Sequence, residues 1–300
     1  MVSLPLESAV SLVEAPLLYK GKVRELYDLG DQLLIVVTDR ISAFDYILKP
    51  CIPDKGKVLN VLSKFWFEKT KSLVDNHVIH TDVELLHQLI PDAQARRILR
   101  DRIIVAHKAE RISIECVVRG YLTGGGWRQY QETGSINGIA LPPGMRKNQK
   151  FDSPIFTPAA KNDHGHDEDI SLQRMKQSVG EQLAMELQEK SLQLYAWAHA
   201  YCLERGIILA DTKFEFGWKE GQVIVIDEIF TPDSSRYWLN SKYELDIEMD
   251  SMDKEPVRTY LLQSDWDKQS TPEALPLDVV EETTKRYKDI LHRLVKASDL

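Results

Sequence analysis

The segment ADTKFEFGWKEGQVIVIDEIFTPDSSR, residues 210–236, sets charged side chains into what otherwise reads as a buried β-hairpin. Phe214, Phe216, Val223, Ile224, Val225 and Ile226 supply the apolar part. Burying Glu215, Asp227 and Glu228 among them without partners would be costly. With a turn over 220–222, Lys219 lies opposite Val223 and Glu215 opposite Asp227. The Cβ atoms of two carboxylates so opposed are roughly 4.5–5.5 Å apart. They repel unless a divalent cation joins them, and Mg²⁺ typically takes one or two carboxylates together with substrate phosphates. A slip of one residue in this register sends the acids to opposite faces. An edge hairpin with solvated acids accounts for the same residues. Lys213 shares the face of Glu215 by the two-residue period. It suits a phosphate, a carboxylate or a simple ion pair with Glu215. Ser234, Ser235 and Arg236 join hydroxyls to a guanidinium, a match for phosphate oxygens and equally a common turn.

Further constellations lie upstream. Lys20, Gly21 and Lys22 put a glycine between two cations at a strand start, where backbone and charge can approach a phosphate together. Most such triplets are solvated turns. No G-x-x-x-x-G-K-[ST] and no G-x-G-x-x-G occurs, so the P-loop and Rossmann readings lack their signature. TDRISAFDYIL clusters Asp39, Arg40, Ser42 and Asp45 among apolar residues, for structural pairing or for a ligand. VVRGYLTGGGW ends an apolar strand on Arg119 before Gly124, Gly125 and Gly126, a setting for anion capture or a plain glycine turn. His164 and His166 flank Gly165 but lack a third spaced ligand for zinc.

The elements that must position these groups read as follows. KGKVRELYDL and QLLIVVTD form a hairpin turning at Gly30-Asp31. Residues 60–74 have helical spacing, and 103–121 are β-rich with an interruption at 108–111. Residues 142–170 form a long irregular segment. Ser178 and Glu181 read as a capping box opening a helix that carries Leu183, Leu187, Leu194, Ala198 and Cys202 on one face and stops at Gly206. A last helix spans 278–294.

The totals set outer limits. The net charge of −8 gives no support for nucleic-acid binding. Three separated cysteines, Cys51, Cys116 and Cys202, suit neither a disulfide framework nor a zinc ribbon, and point to a reducing, cytoplasmic setting. The N-terminus does not read as a secretory signal, and no apolar run reaches membrane-span length. No long apolar helix face is left over, so a monomer is expected.

Taken in order, YKGKVRELYDLGD, TDRISAFD, IPDKGKVLN, IECVVRGYLTGGGW, ADTKFEFG and DEIFTPDSSRYW resemble the SAICAR synthetase family of purine biosynthesis over nearly the whole chain. The resemblance implies an α+β, two-lobed ATP-binding fold related to the kinase and ATP-grasp architectures. Antiparallel sheets are expected in both lobes and ATP in the cleft: a β-rich lobe over 1–107 and an α+β lobe over 108–300. It implies an ATP-dependent ligase joining L-aspartate to carboxyaminoimidazole ribonucleotide (CAIR), with Mg²⁺ as cofactor. Lys20, Gly21 and Lys22 are expected to cover the ATP phosphates, and Lys108, Ala109, Glu110 and Arg111 to form the adenine hinge. Glu215 and Asp227 take the metal-binding role, with Lys213 as a third catalytic group. Arg40, Ser42, Asp45, Arg119, Ser234, Ser235 and Arg236 fall on the substrate side. Two positions depart from the family pattern: Gly125 replaces a serine and Ala160 a threonine. The alternatives are a small-molecule kinase on a similar fold, which fits less well without an H-R-D-x-x-x-x-N loop, and a non-catalytic nucleotide-binding protein.

Overall fold

The computed structural model describes residues 5–162 and 167–296, so His164 and His166 lie outside the described residues. The chain divides into two units. Unit 1 holds Met1–Glu68, His77–Lys108 and Met252–Leu300; unit 2 holds Lys69–Asn76 and Ala109–Ser251. The C-terminal segment therefore departs from the expected 108–300 lobe. Helices Glu255–Gln263 and Leu277–Leu294 explain why. Val257, Leu261, Leu275 and Val280 share one core cluster with Ile41, Ala43, Leu48 and Ile52. Helical periodicity reveals an apolar face but not the partner that covers it.

Unit 1 is built on a five-stranded antiparallel sheet in the order Leu17–Lys20, Arg24–Asp28, Gln32–Val37, Ile103–His107, Val78–His80. The expected hairpin is present, with Gly30 at φ 85° in its turn. The first helix runs over Lys55–Thr70 and begins earlier than its apolar spacing suggests. Gly56 reads locally as a breaker, yet a Cβ there would stand 2.4 Å from the Val37 carbonyl oxygen, so the glycine permits close helix–strand packing. Asp39 and Arg102 form a fully buried pair with two bonds of 2.6 and 2.9 Å. Asp39 also accepts from the amides of Leu6 at 2.7 Å and Gly56 at 2.8 Å. Removing one partner of such a pair costs about 3–5 kcal/mol.

Unit 2 is built on a seven-stranded sheet. Its main path runs Glu168–Asp169, Ala159–Ala160, Glu110–Tyr121, Ile207–Lys219, Gln222–Ile226; Lys150–Phe156 also pairs with Glu110–Tyr121, and Ser235–Leu239 with Ile207–Lys219. Three of these strands lie within 142–170, which is thus less irregular than expected. Helix Glu181–Leu203 packs on one face of the two long strands. The expected capping box does not form. Ser178 sits in the last turn of a separate helix, Leu172–Val179, and donates to the Met175 carbonyl at 2.9 Å. Ser171 caps that helix, and Gly180 at φ 87° divides it from the next. Among the described residues no helix is long and apolar enough to cross a membrane.

Candidate active site

The long strand Ile207–Lys219 alternates as a two-faced strand must. Thr212, Phe214 and Phe216 are buried on the side of helix Glu181–Leu203. Asp211, Lys213 and Glu215 alternate with them onto the other face. The neighbouring strand Glu110–Tyr121 does the same: Cys116, Val118 and Gly120 face the helix, with Cys116 and Val118 fully buried, while Glu115 and Arg119 share the polar face. Polar groups of the two strands meet in register, Glu215 opposite Glu115 and Asp211 opposite Arg119.

The hairpin register differs by one residue from the expected one. Lys219 pairs with Gln222 and Glu215 with Ile226. The turn has only two residues, Glu220 at φ 51° and Gly221 at φ 80°, the pair of left-handed conformations that matches strand twist. Asp227 is therefore not opposite Glu215. It follows the strand end with φ 67°, which breaks the alternation that would assign it a face. The carboxylate directly opposite Glu215 is that of Glu115.

Two ammonium groups hold this acid pair. Lys161 Nζ lies 2.8 Å from Glu215 Oε1, 3.3 Å from Glu115 Oε1 and 3.4 Å from Asp167 Oδ2. Lys213 Nζ lies 2.8 Å from Glu115 Oε1. Lys161 reaches the pair because strand Ala159–Ala160 flanks Glu110–Tyr121, with Ala159 opposite Glu115, and the Lys161 amide bonds the Ser113 carbonyl. Burial pushes the Glu115 carboxyl up, but the Lys213 and Lys161 charges outweigh it and hold its pKa below the usual value. Burial likewise disfavours the Lys161 ammonium, yet Glu215 and Glu115 hold it charged, above the usual lysine range. Lys213 moves upward too, burial opposing and Glu115 favouring its charge.

A second cluster lies beside the first. Asp211 Oδ2 accepts from Arg236 Nη1 at 2.6 Å and Arg119 Nη1 at 3.4 Å, and Arg119 Nε donates to Thr157 Oγ1 at 3.0 Å. Two guanidiniums sharing one carboxylate retain net positive charge and suit an anion. Gly124, at φ 56°, gives Arg236 its place: a Cβ there would stand 2.7 Å from Arg236 Nη2. Ser234 and Ser235 are buried. Ser235 Oγ shares a 2.8 Å hydrogen bond with Thr212 Oγ1, and Ser234 Oγ accepts from the Thr231 amide at 3.1 Å.

The unit 1 candidates form their own network. Lys20 Nζ is 3.7 Å from Glu25, and Lys22 pairs with Asp45. Arg40 lies beneath the Lys20-Gly21-Lys22 turn, only 3% exposed. Its guanidinium bonds Glu25 at 2.9 Å and the carbonyls of Gly21 at 2.8 Å and Lys22 at 3.1 Å. The Arg40 donors thus face inward and brace the turn. Ser42 pairs across a short hairpin with Ile47, and Asp45 sits in its turn at φ 67°. Lys108 bonds Asp28 at 2.6 Å within unit 1. Ala109 packs near Gly217 in unit 2, where Glu110 and Arg111 pair with Trp218 and Gly217.

Glu115, Lys161 and Asp211 were missed at the level of sequence. Glu115 left a trace: an acid inside the apolar run IECVVRG, two and four residues from Val117 and Arg119 on the same face. Asp211 left a weaker one as the first charge of ADTKFEFG. Lys161 follows Ala160 in the segment that departs from the family pattern, and its role went unread because its place depends on a strand of two residues.

Among the described residues no three His, Cys, Asp or Glu side chains form a ready metal cage. The donor set at Glu115 and Glu215 is hard carboxylate oxygen already shared with a cation, which fits Mg²⁺ held by few protein ligands plus phosphate.

The family model described as SAICAR synthetase matches residues 17–273. A phosphoribosylaminoimidazole-succinocarboxamide synthase of Elusimicrobium minutum is 45% identical over 288 residues, 96% of this chain and 99% of that protein. The solved SAICAR synthase of Saccharomyces cerevisiae in complex with SAICAR is 36% identical, with a TM-score of 0.86 and 98% of each chain covered. A type-2 SAICAR synthetase solved with ADP has a TM-score of 0.67 at 23% identity, covering 92% of this chain and 97% of that one, a likeness of fold.

Proposed function

The chain belongs to the SAICAR synthetase family, and from that premise we propose how its own residues perform the reaction. The activity is ATP-dependent ligation of L-aspartate to CAIR, giving SAICAR, ADP and phosphate. The single observation that carries it is the family match across residues 17–273.

A carboxylate is a poor electrophile toward an amine. A CAIR carboxylate oxygen attacks the γ-phosphorus of ATP and ADP leaves, giving an acyl phosphate. The aspartate amine then attacks the acyl carbon, phosphate departs and the amine loses its proton. In this reading Arg119 and Arg236 grip the anionic nucleotide substrate, Asp211 fixes both guanidiniums, and Ser234 and Ser235 anchor the start of the strand that carries Arg236. Lys213 takes a phosphate oxygen. Lys20, Gly21 and Lys22 cover the ATP phosphates, braced by Arg40, while Ser42 and Asp45 border the substrate. Ala109, Glu110 and Arg111, with Lys108, meet the adenine. Glu215 and Asp227 hold Mg²⁺, with Glu115 beside Glu215. The metal supplies charge neutralisation along the phosphates. Positioning supplies much of the rate, since no side-chain nucleophile is required. We place the enzyme in the cytoplasm as a monomer.

The test is a coupled one. ADP release measured with purified protein requires both CAIR and aspartate. ADP formed without CAIR, or a rate indifferent to aspartate, overturns the assignment. A phosphorylated product persisting in the presence of aspartate identifies a kinase instead.

A further inference from the structure

Lys161 touches three carboxylates, and nothing in the mechanism above uses it. Its ammonium touches Glu215, Glu115 and Asp167 at 2.8, 3.3 and 3.4 Å, and its side chain is only 15% exposed. Lys213, by contrast, pairs with Glu115 and is 42% exposed. Directly opposed carboxylates on neighbouring strands repel, and here the register sets Glu115 opposite Glu215. Something positive must therefore accompany the pair at all times. Two ammonium groups meet that need, Lys213 at Glu115 and Lys161 at both carboxylates.

We propose that Lys161 is a built-in counter-cation, a positioning residue that holds Glu115 and Glu215 together until a divalent cation arrives with the nucleotide. This inference rests on the metal reading of Glu215. Its consequence is thermodynamic. A cation that binds Glu215 must displace or share the lysine contact, and it also meets the lysine's own charge. Lys161 therefore suppresses binding of the bare metal. Triphosphate reverses the balance, because its oxygens give the released ammonium a new anion and give the metal further ligands. The metal then enters as its nucleotide complex, and the acid pair is never left uncompensated. At the effective dielectric of a partly buried site, one unit charge within a few ångströms is worth well over tenfold in an equilibrium constant.

The test is a titration of nucleotide-free protein with Mn²⁺, followed by electron paramagnetic resonance, with circular dichroism confirming the fold of every variant. Lys161→Met is expected to tighten Mn²⁺ at least tenfold relative to wild type. Lys161→Gln, the second neutral variant, is expected to do the same, and Lys161→Arg to stay at the wild-type affinity. Adding Glu215→Gln to Lys161→Met removes the gain. Unchanged Mn²⁺ affinity in both neutral variants overturns the proposal, as does an arginine variant that tightens as much as methionine. The metal reading is tested separately by Mn²⁺·ATP binding to the Glu215→Gln single variant. A loss there together with inert lysine variants rejects Lys161 alone. No loss there removes the metal reading and Lys161 with it.

Discussion

Glu115 and Glu215 stand directly opposite one another on adjacent antiparallel strands of unit 2, sharing the Lys161 ammonium. This pairing, rather than one across the 214–226 hairpin, is where two carboxylates meet directly on the polar face of the sheet.

Glu215→Gln is expected to lower ADP release at least 10³-fold with little change in melting temperature. Glu215 faces away from the helix-packed side, and a neutral amide keeps its shape while removing its charge. Steady-state kinetics beside a circular dichroism melt checks both halves. Retained turnover removes Glu215 from the reaction.

Asp211→Asn is expected to raise KM for CAIR tenfold or more while leaving KM for ATP within about twofold. Asp211 accepts from Arg236 at 2.6 Å and Arg119 at 3.4 Å, so its charge sets where both guanidiniums lie. Equal changes in both constants would contradict this division of labour.

Gly124→Ala and Gly120→Ala separate function from stability within one turn of chain. At Gly124 the new methyl meets the flexible end of Arg236, so the guanidinium moves and CAIR binding weakens; the left-handed backbone adds strain of about 1 kcal/mol. At Gly120 a Cβ would lie 1.9 Å from Tyr195 Oη, whose hydroxyl donates to the Leu209 carbonyl at 2.7 Å. Tyr195 is fully buried, and the cost there is expected to be about 3 kcal/mol of stability. Denaturant melts and CAIR titrations read the two effects independently.

Acid should weaken unit 1 through His77. Burial, reinforced by the charges of Arg24 and His107, depresses this imidazole from 6.5 to about 3, and its Nε2 has no hydrogen-bond partner among the described residues. The unfolded chain takes up a proton below pH 6.5 that the folded chain refuses until about pH 3. The stability attached to neutral His77 is thus complete above pH 6.5 and is lost as pH falls through that window, by roughly 1.4 kcal/mol per pH unit. His77→Phe, which keeps the ring packed against Phe67, is expected to flatten the fall in unfolding free energy between pH 6 and pH 4.5. An unaltered slope would show that other groups govern acid unfolding.

Much of this molecule is local, and local features were legible. The hairpin over 24–37, the helix ending at Leu294 and the long apolar strands follow from side-chain period and turn chemistry, which neighbours in the chain suffice to define. The motifs from YKGKVRELYDLGD to DEIFTPDSSRYW likewise sufficed to point to the SAICAR synthetase family. The remainder depends on who meets whom across distance. A two-residue turn at Glu220-Gly221 instead of three moved every partner by one and replaced Asp227 by Ile226 opposite Glu215. Glu115 and Lys161 joined the acid cluster only because their strands lie side by side, although 46 residues separate them in sequence. Helices in 252–296 returned to unit 1 because Ile41 and Leu48 offered the apolar surface their faces required. Side-chain type and spacing decide which surfaces need covering; only the folded chain decides what covers them, since burial and charge pairing are indifferent to separation along the backbone.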